Sequence, residues 1–270
     1  MEKRFDLHAH SNVSDGTFSP TALVQAAREA GLRLLALTDH DCVDGVGEAR
    51  RAGEAAGVQI LAGVEFDCAF EHELHMLGLG LDTGNPALIA ALEAARERRA
   101  ARNARILEQL DAAGCELRPH LSEGGGSLTR LHIALALRAA GYAASLREAF
   151  TRYLAPGGPG YVPGYRETLI RPEEAIAVIH AAGGLAVWAH PMHAPANLHR
   201  LTDRLAAEGL DGLEAYHPSA SEGDAALLLS LAEQHGLAVT CGSDFHGANR
   251  PGIGLGCTWR ESPALEALYA

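Results

Sequence analysis

Short apolar runs recur along the chain, and most of the spaces between them carry a helical pattern. The runs are 4–7, Leu34–Leu37, 59–62, 74–79, 185–188, 212–215 and Ala238–Cys241. Each is too short for a buried helix and mostly apolar, which reads as a strand covered on both faces. After the first run, Ser19-Pro20-Thr21 supplies a cap and a first-turn proline; the helical pattern then runs to Ala30 and stops at Gly31. The Ala-rich stretch 45–56 ends the same way at Gly57, and 172–182 ends at Gly183-Gly184. Strands alternating with helices predict an α/β fold built on a parallel sheet. Seven such strands predict a distorted (β/α)7 barrel related to the eight-stranded kind.

The spacing breaks once, between Leu79 and Leu185. Stretch 86–114 reads as one long helix, and 128–141 and 145–154 read as two more. Gly124-Gly125-Gly126 is a flexible joint by composition, and the Gly/Pro-rich stretch 156–164 leads back to the barrel. The expected organisation is a barrel from 1–84 and 165–270, with a helical insertion at 85–164. Insertions in barrels serve function when they cover the catalytic face, and that placement is expected here.

Polar residues gather where the apolar runs end. His8-Ala9-His10 and Asp15 follow the first run, Thr38-Asp39-His40 the second, and Gly63-Val64-Glu65 the third. His75 lies in the fourth, Ala189-His190-Pro191 closes the fifth, and Ser243-Asp244-Phe245-His246 follows the seventh. In a parallel barrel these ends meet at one face. One HxH pair occurs often by chance, but joint placement at six of seven strands does not. The set His8, His10, Asp15, His40, Glu65, His75, His190, Asp244 and His246 is a mixed nitrogen and oxygen shell. It suits Zn, Mn or Fe, and it lacks the thiolates of a structural zinc site. With Glu65 bridging, it provides for two or three divalent ions.

Composition narrows the function classes. Hydrophobic residues at 47% and charged residues at 21% exclude a wholly disordered chain. Lys+Arg of 22 against Asp+Glu of 34 gives a net charge of −12, which repels duplex DNA and anionic membrane. No apolar run follows Met1–Asp6 and no stretch of about 20 apolar residues occurs, so neither a signal peptide nor a membrane span is expected. The five cysteines are scattered without a CxxC, which predicts a reduced, cytoplasmic protein. No obligate protein partner is indicated.

Against that acidic background, stretch 97–105 carries four arginines. Arg99, Arg102 and Asn103 fall at i, i+3 and i+4, on one helix face, where guanidinium groups can bind phosphate. Tyr161 and Tyr165 could border a base. His193 and His217 lie just past strand ends and are candidate acids for a leaving group.

The strand-end motifs together resemble the PHP (polymerase and histidinol phosphatase) family, whose four motifs are present in order. Within the insertion, Thr129-Arg130-Leu131-His132 is similar to that family's Gly-Arg-Pro-His stretch, keeping Arg130 and His132. The resemblance implies three ions. His8, His10, Glu65 and Asp244 would hold the first, Glu65, His75 and His190 the second, and Asp15, His40 and His246 the third. It points to the subgroup of nucleoside 3′,5′-bisphosphate phosphatases, some of whose relatives trim short RNA from the 5′ end.

The expected reaction is hydrolysis of the 3′-phosphate by in-line attack of a metal-bridging hydroxide, without a phospho-enzyme. Glu65, Asp244 and His193 would be its catalytic residues. Arg99, Arg102, Asn103, Arg130 and His132 would bind a nucleotide substrate, with short single-stranded RNA as a further substrate. The alternatives are another phosphomonoesterase such as histidinol phosphatase, C–N hydrolysis, and a metal-binding accessory domain. Amidohydrolases usually bridge their metals with a lysine, and the single lysine, Lys3, precedes the first strand.

Overall fold

A computed structural model of the chain describes residues 5–121, 128–194 and 198–260. Seven strands form one sheet in sequence order: β1 (Phe5–Asp6), β2 (Leu34–Leu37), β3 (Gln59–Asp67), β4 (His75–Leu79), β5 (Leu185–Ala189), β6 (Gly212–Tyr216) and β7 (Ala238–Cys241). The outer strands curl toward each other. The Leu7 N–H donates to Cys241 O at 3.0 Å, and Ala9 bridges Phe245 in parallel. The sheet is thus nearly closed into a barrel. Trp188, Phe66, Met76 and Leu77 are fully buried in its core.

One strand departs from the expected parallel arrangement. β4 runs antiparallel to both β3 and β5. The cause is connection length. β3 extends to Asp67, so only residues 68–74 lead into β4, and a parallel neighbour needs a crossover of a dozen or more residues. The reversal has a consequence for chemistry. β4 begins at the end of the barrel where β2, β3, β5 and β7 finish. Its first residue, His75, pairs with Asp67 and Ala189 at that face.

Helices α1 (Pro20–Glu29) and α2 (Val46–Ala56) pack against each other beside the first strands. Ser19 caps α1 by accepting from the Ala22 N–H at 3.1 Å, a contact worth about 1 kcal/mol. The long helix α3 (Pro86–Ala112) serves two cores. Leu88 and Leu92 belong to the barrel core, whereas Ile106 and Leu110 join a second cluster. That cluster includes Ile133 and Leu137 of α4 (Arg130–Ala139), and Tyr153. The predicted helix over 145–154 is a short α5 (Leu146–Glu148) that widens into a π-helical turn, Ala149–Leu154. Helices α6 (Pro172–Ala181), α7 (Leu198–Ala207) and α8 (Glu222–His235) complete the barrel's outer layer. The Gly124–Gly126 joint and Arg4 lie outside the described residues. Among the described residues no helix is long and apolar enough to cross a membrane.

Candidate metal centre

Glu65, near the end of β3, is the hub of the polar cluster and is 1% exposed. Its Oε2 lies 3.3 Å from His8 Nε2, 3.2 Å from His10 Nε2 and 3.2 Å from His40 Nδ1. Its Oε1 lies 2.7 Å from His75 Nδ1 and 3.0 Å from His190 Nε2. Asp244 Oδ1 closes the other side, 3.2 Å from His10 Nε2 and 3.5 Å from His8 Nε2. Asp15 Oδ1 stands 3.2 Å from His246 Nε2, and its Oδ2 stands 3.8 Å from His40 Nε2. All nine expected ligands therefore converge, although they come from six strand ends. Their potential ligand atoms fall into overlapping sets: His8–His10–Glu65–Asp244, His10–Asp15–His40–His246 and His40–Glu65–His75. A further set joins Glu73, His190 and His193.

The donor chemistry fits divalent ions. His8 Nε2 and His10 Nε2 are 3.1 Å apart and share one carboxylate oxygen, more nitrogens than protons can reconcile. The Nδ1 atoms of His10 and His190 are buried without a hydrogen-bond partner. Such groups are costly to bury unless a cation satisfies them. Backbone strain gathers here as well. His190 at φ 31° and Asp244 at φ 52° are non-glycine residues in left-handed conformations, a cost that persists at functional sites.

Electrostatics follow from burial and neighbours. Burial favours the protonated carboxyl, yet the surrounding imidazoles hold Glu65 and Asp244 well below the usual carboxylate range. Burial also opposes charge on His8, but the carboxylates of Glu214, Glu65 and Asp244 raise it well above an ordinary histidine. For His40, burial outweighs Glu65 and Asp15 and takes it down to about 4.

Several carboxylates outside the nine expected ligands support this cluster. Glu214 in β6 accepts from His8 Nδ1, and Asp67 at the end of β3 lies 3.1 Å from His75 Nε2. Asp39 accepts from the Ser11 N–H and the Ser11 and Ser14 hydroxyls at 2.6–2.8 Å, pinning the loop that carries His10 and Asp15. Arg250 pairs with Asp244. Only Asp39, beside His40 in its motif, could have been found from sequence; the others sit in plain apolar or loop contexts.

Above the cluster is a cavity of about 350 Å³ walled by His40, His75, His190, His193 and His246. Leu131, Leu146 and Phe150 of the insertion line it too, so the insertion does reach over this face. His193 stands at the rim, its Nδ1 3.0 Å from Glu73 and its Nε2 3.1 Å from Ser219 Oγ. His217 is buried instead. Its Nδ1 accepts from the Ser219 N–H, which leaves the proton on Nε2, 3.4 Å from Asp244 Oδ2.

The five residues expected to bind substrate are divided. Arg102 and Arg130 line a separate cavity of about 480 Å³ with Tyr161, Tyr165 and Arg166. The Arg102 guanidinium lies 4.4 Å from the centre of the Tyr165 ring, with a buried, unpartnered Nη2. Burial lowers its pKa to about 10. Arg99 is on the same helix face but forms an ion pair with buried Asp41, and it lines a different cavity with Asn103. Asn103 is held locally, accepting from Arg102 Nε and donating to Leu128 O at 2.6 Å. His132 Nδ1 accepts from the Thr129 N–H at 3.0 Å, capping α4. Asp67 lies 3.1 Å from His75 Nε2, and His75, with the charges of Arg99 and Arg130, lowers its pKa against burial.

Comparison with known proteins gives the same grouping. A 3′,5′-nucleoside bisphosphate phosphatase from Chromobacterium violaceum is 36% identical over 98% of this chain and 94% of its own length. The 5′-3′ exoribonuclease Rnm of Salmonella typhimurium is 38% identical over 90% of this chain and 85% of its own. A solved amidohydrolase from Chromobacterium violaceum, with sulfate bound and no metal, superimposes with a TM-score of 0.87 at 36% identity, covering 97% of this chain and 93% of that one. Residues 6–178 match the PHP domain, and the chain belongs to that family.

Proposed function

We propose that the protein is a metal-dependent phosphatase that removes the 3′-phosphate of nucleoside 3′,5′-bisphosphates, turning adenosine 3′,5′-bisphosphate into 5′-AMP and phosphate. The observation that carries this reading is the pairing of two sites. A cluster of nine candidate metal ligands opens into one cavity, and Arg102 and Arg130 with two tyrosines line another.

The nine residues would hold two or three divalent ions of the Mn, Zn or Fe kind. Such ions supply an activated water at neutral pH and neutralise phosphate charge. Glu65 and Asp244 hold the negative charge that retains them. His193 would be the acid for the leaving oxygen, a role supported by its position at the cavity rim beside Glu73. His217 is buried, with its ring against Ser219 and Asp244, whereas His193 is open to the cavity. Arg102 and Arg130 hold the remote phosphate, with Tyr165 beside it for the base. Arg99, Asn103 and His132 act one step back, ordering the helices that carry those arginines. The protein works in the cytoplasm on small nucleotides.

Likeness to an exoribonuclease supports a second substrate, the 5′ end of short single-stranded RNA. A phosphate-release and product assay separates the readings. Adenosine 3′,5′-bisphosphate should be turned over far faster than histidinol phosphate. Nucleotide release from 5′-phosphorylated RNA, without turnover of the bisphosphate, would replace the first reading by the second.

A further inference from the structure

Glu214 sits mid-strand in the apolar run Gly212–Tyr216 and is 0% exposed. A carboxylate in that position is tolerated only if both oxygens are satisfied. Oε1 accepts from His8 Nδ1 at 3.0 Å, and Oε2 accepts from the His190 backbone N–H at 2.8 Å. The two donors come from the ends of β1 and β5, and His190 is one of the strained left-handed residues. Space for the bracket is provided by Gly242. A Cβ there would stand 2.2 Å from Glu214 Oε1 and 2.2 Å from His8 Cβ.

We infer that Glu214 is a positioning residue for the metal centre, bracketing two candidate ligands on one carboxylate. An ionised carboxylate only accepts, so His8 must carry its proton on Nδ1. Its Nε2 is then the nitrogen left for a metal ion, and it is aimed at His10, Glu65 and Asp244. The second oxygen holds the His190 backbone in the conformation that turns its ring toward Glu65. Glutamine at this position has the same shape but one acceptor oxygen. If that oxygen serves the His190 N–H, the amide NH2 meets His8 Nδ1 and drives its proton to Nε2, where it blocks metal. If it serves His8, the amide faces the His190 N–H and the strained turn loses its anchor.

This inference rests on the proposed metal centre, and zinc is the probe. Metal-stripped wild type and Glu214→Gln are titrated with zinc against a chelating dye, with circular dichroism confirming the fold. The expected result is zinc affinity about 10- to 100-fold weaker in Glu214→Gln, the range typical of residues that orient metal ligands. Glu214→Asp, which keeps two acceptor oxygens, should fall between that variant and wild type. Nitrogen-15 NMR of zinc-loaded wild type should show the His8 proton on Nδ1, a test that needs no variant to fold. Zinc affinity in Glu214→Gln within about twofold of wild type, or a His8 proton on Nε2, would overturn the inference. Wild type that takes up no zinc, manganese or iron would overturn the metal centre itself.

Discussion

Glu65 receives five histidine nitrogens on two oxygens, and Asp244 receives four more contacts from His8, His10, His217 and His246. Removing either charge while keeping its shape leaves too little negative charge to retain a full set of ions. Glu65→Gln and Asp244→Asn should each lose at least one ion and most activity with the fold retained. Elemental analysis checks this, and full metal content with near-normal turnover would remove these residues from the centre. The nine candidate ligands were legible in the sequence because each lies at or close after an end of an apolar run, and strand ends of a barrel share a face. Glu214 and Asp67 were not legible. A carboxylate inside an apolar run has no meaning until its neighbours across the sheet are known.

At the scale of elements, the reversal of β4 explains how His75 reaches the centre from the start of a strand rather than its end. The short 68–74 connection held that information, but the sequence pattern placed the end of β3 at Ala62 and hid it. Helix α3 shows the same limit. Its arginines were legible as one face, but that face divides between two cavities. The division separates their expected effects. Arg102→Ala and Arg130→Ala each remove a charged hydrogen bond worth about 1.5–3 kcal/mol, a loss of about 10- to 150-fold in kcat/KM on the bisphosphate. Turnover of an aryl phosphate should hardly change, and equal losses on both substrates would contradict the assignment. Arg99→Ala instead strands the buried Asp41 carboxylate. It should destabilise the fold by about 3–5 kcal/mol, read from the denaturation midpoint; an unchanged midpoint would show that the ion pair contributes nothing.

For the whole molecule, burying so many ionisable groups around one point links stability to metal and to pH. Burial opposes charge on His10, but hydrogen bonds to Asp244 and Glu65 raise its pKa to about 9, and His8 and His75 move the same way. In metal-stripped protein their protonated forms contribute stability that is complete below the unfolded value of about 6.5. That contribution is lost as pH rises through about 9. Thermal midpoints of stripped protein should fall across that interval, while those of metal-loaded protein should not. A stripped midpoint that rises instead would contradict the sign. The proposed two-site reading also names a product. On the proposed function, one phosphate would sit at the metal cluster and the other at Arg102 and Arg130; the remote phosphate would then position the reacting one, and losing it should depress turnover as well as affinity. Phosphorus NMR of the products from adenosine 3′,5′-bisphosphate is the most direct measurement. The account predicts 5′-AMP and inorganic phosphate, with 5′-AMP itself a poor substrate; accumulation of 3′-AMP, or equally fast hydrolysis of 5′-AMP, would contradict it.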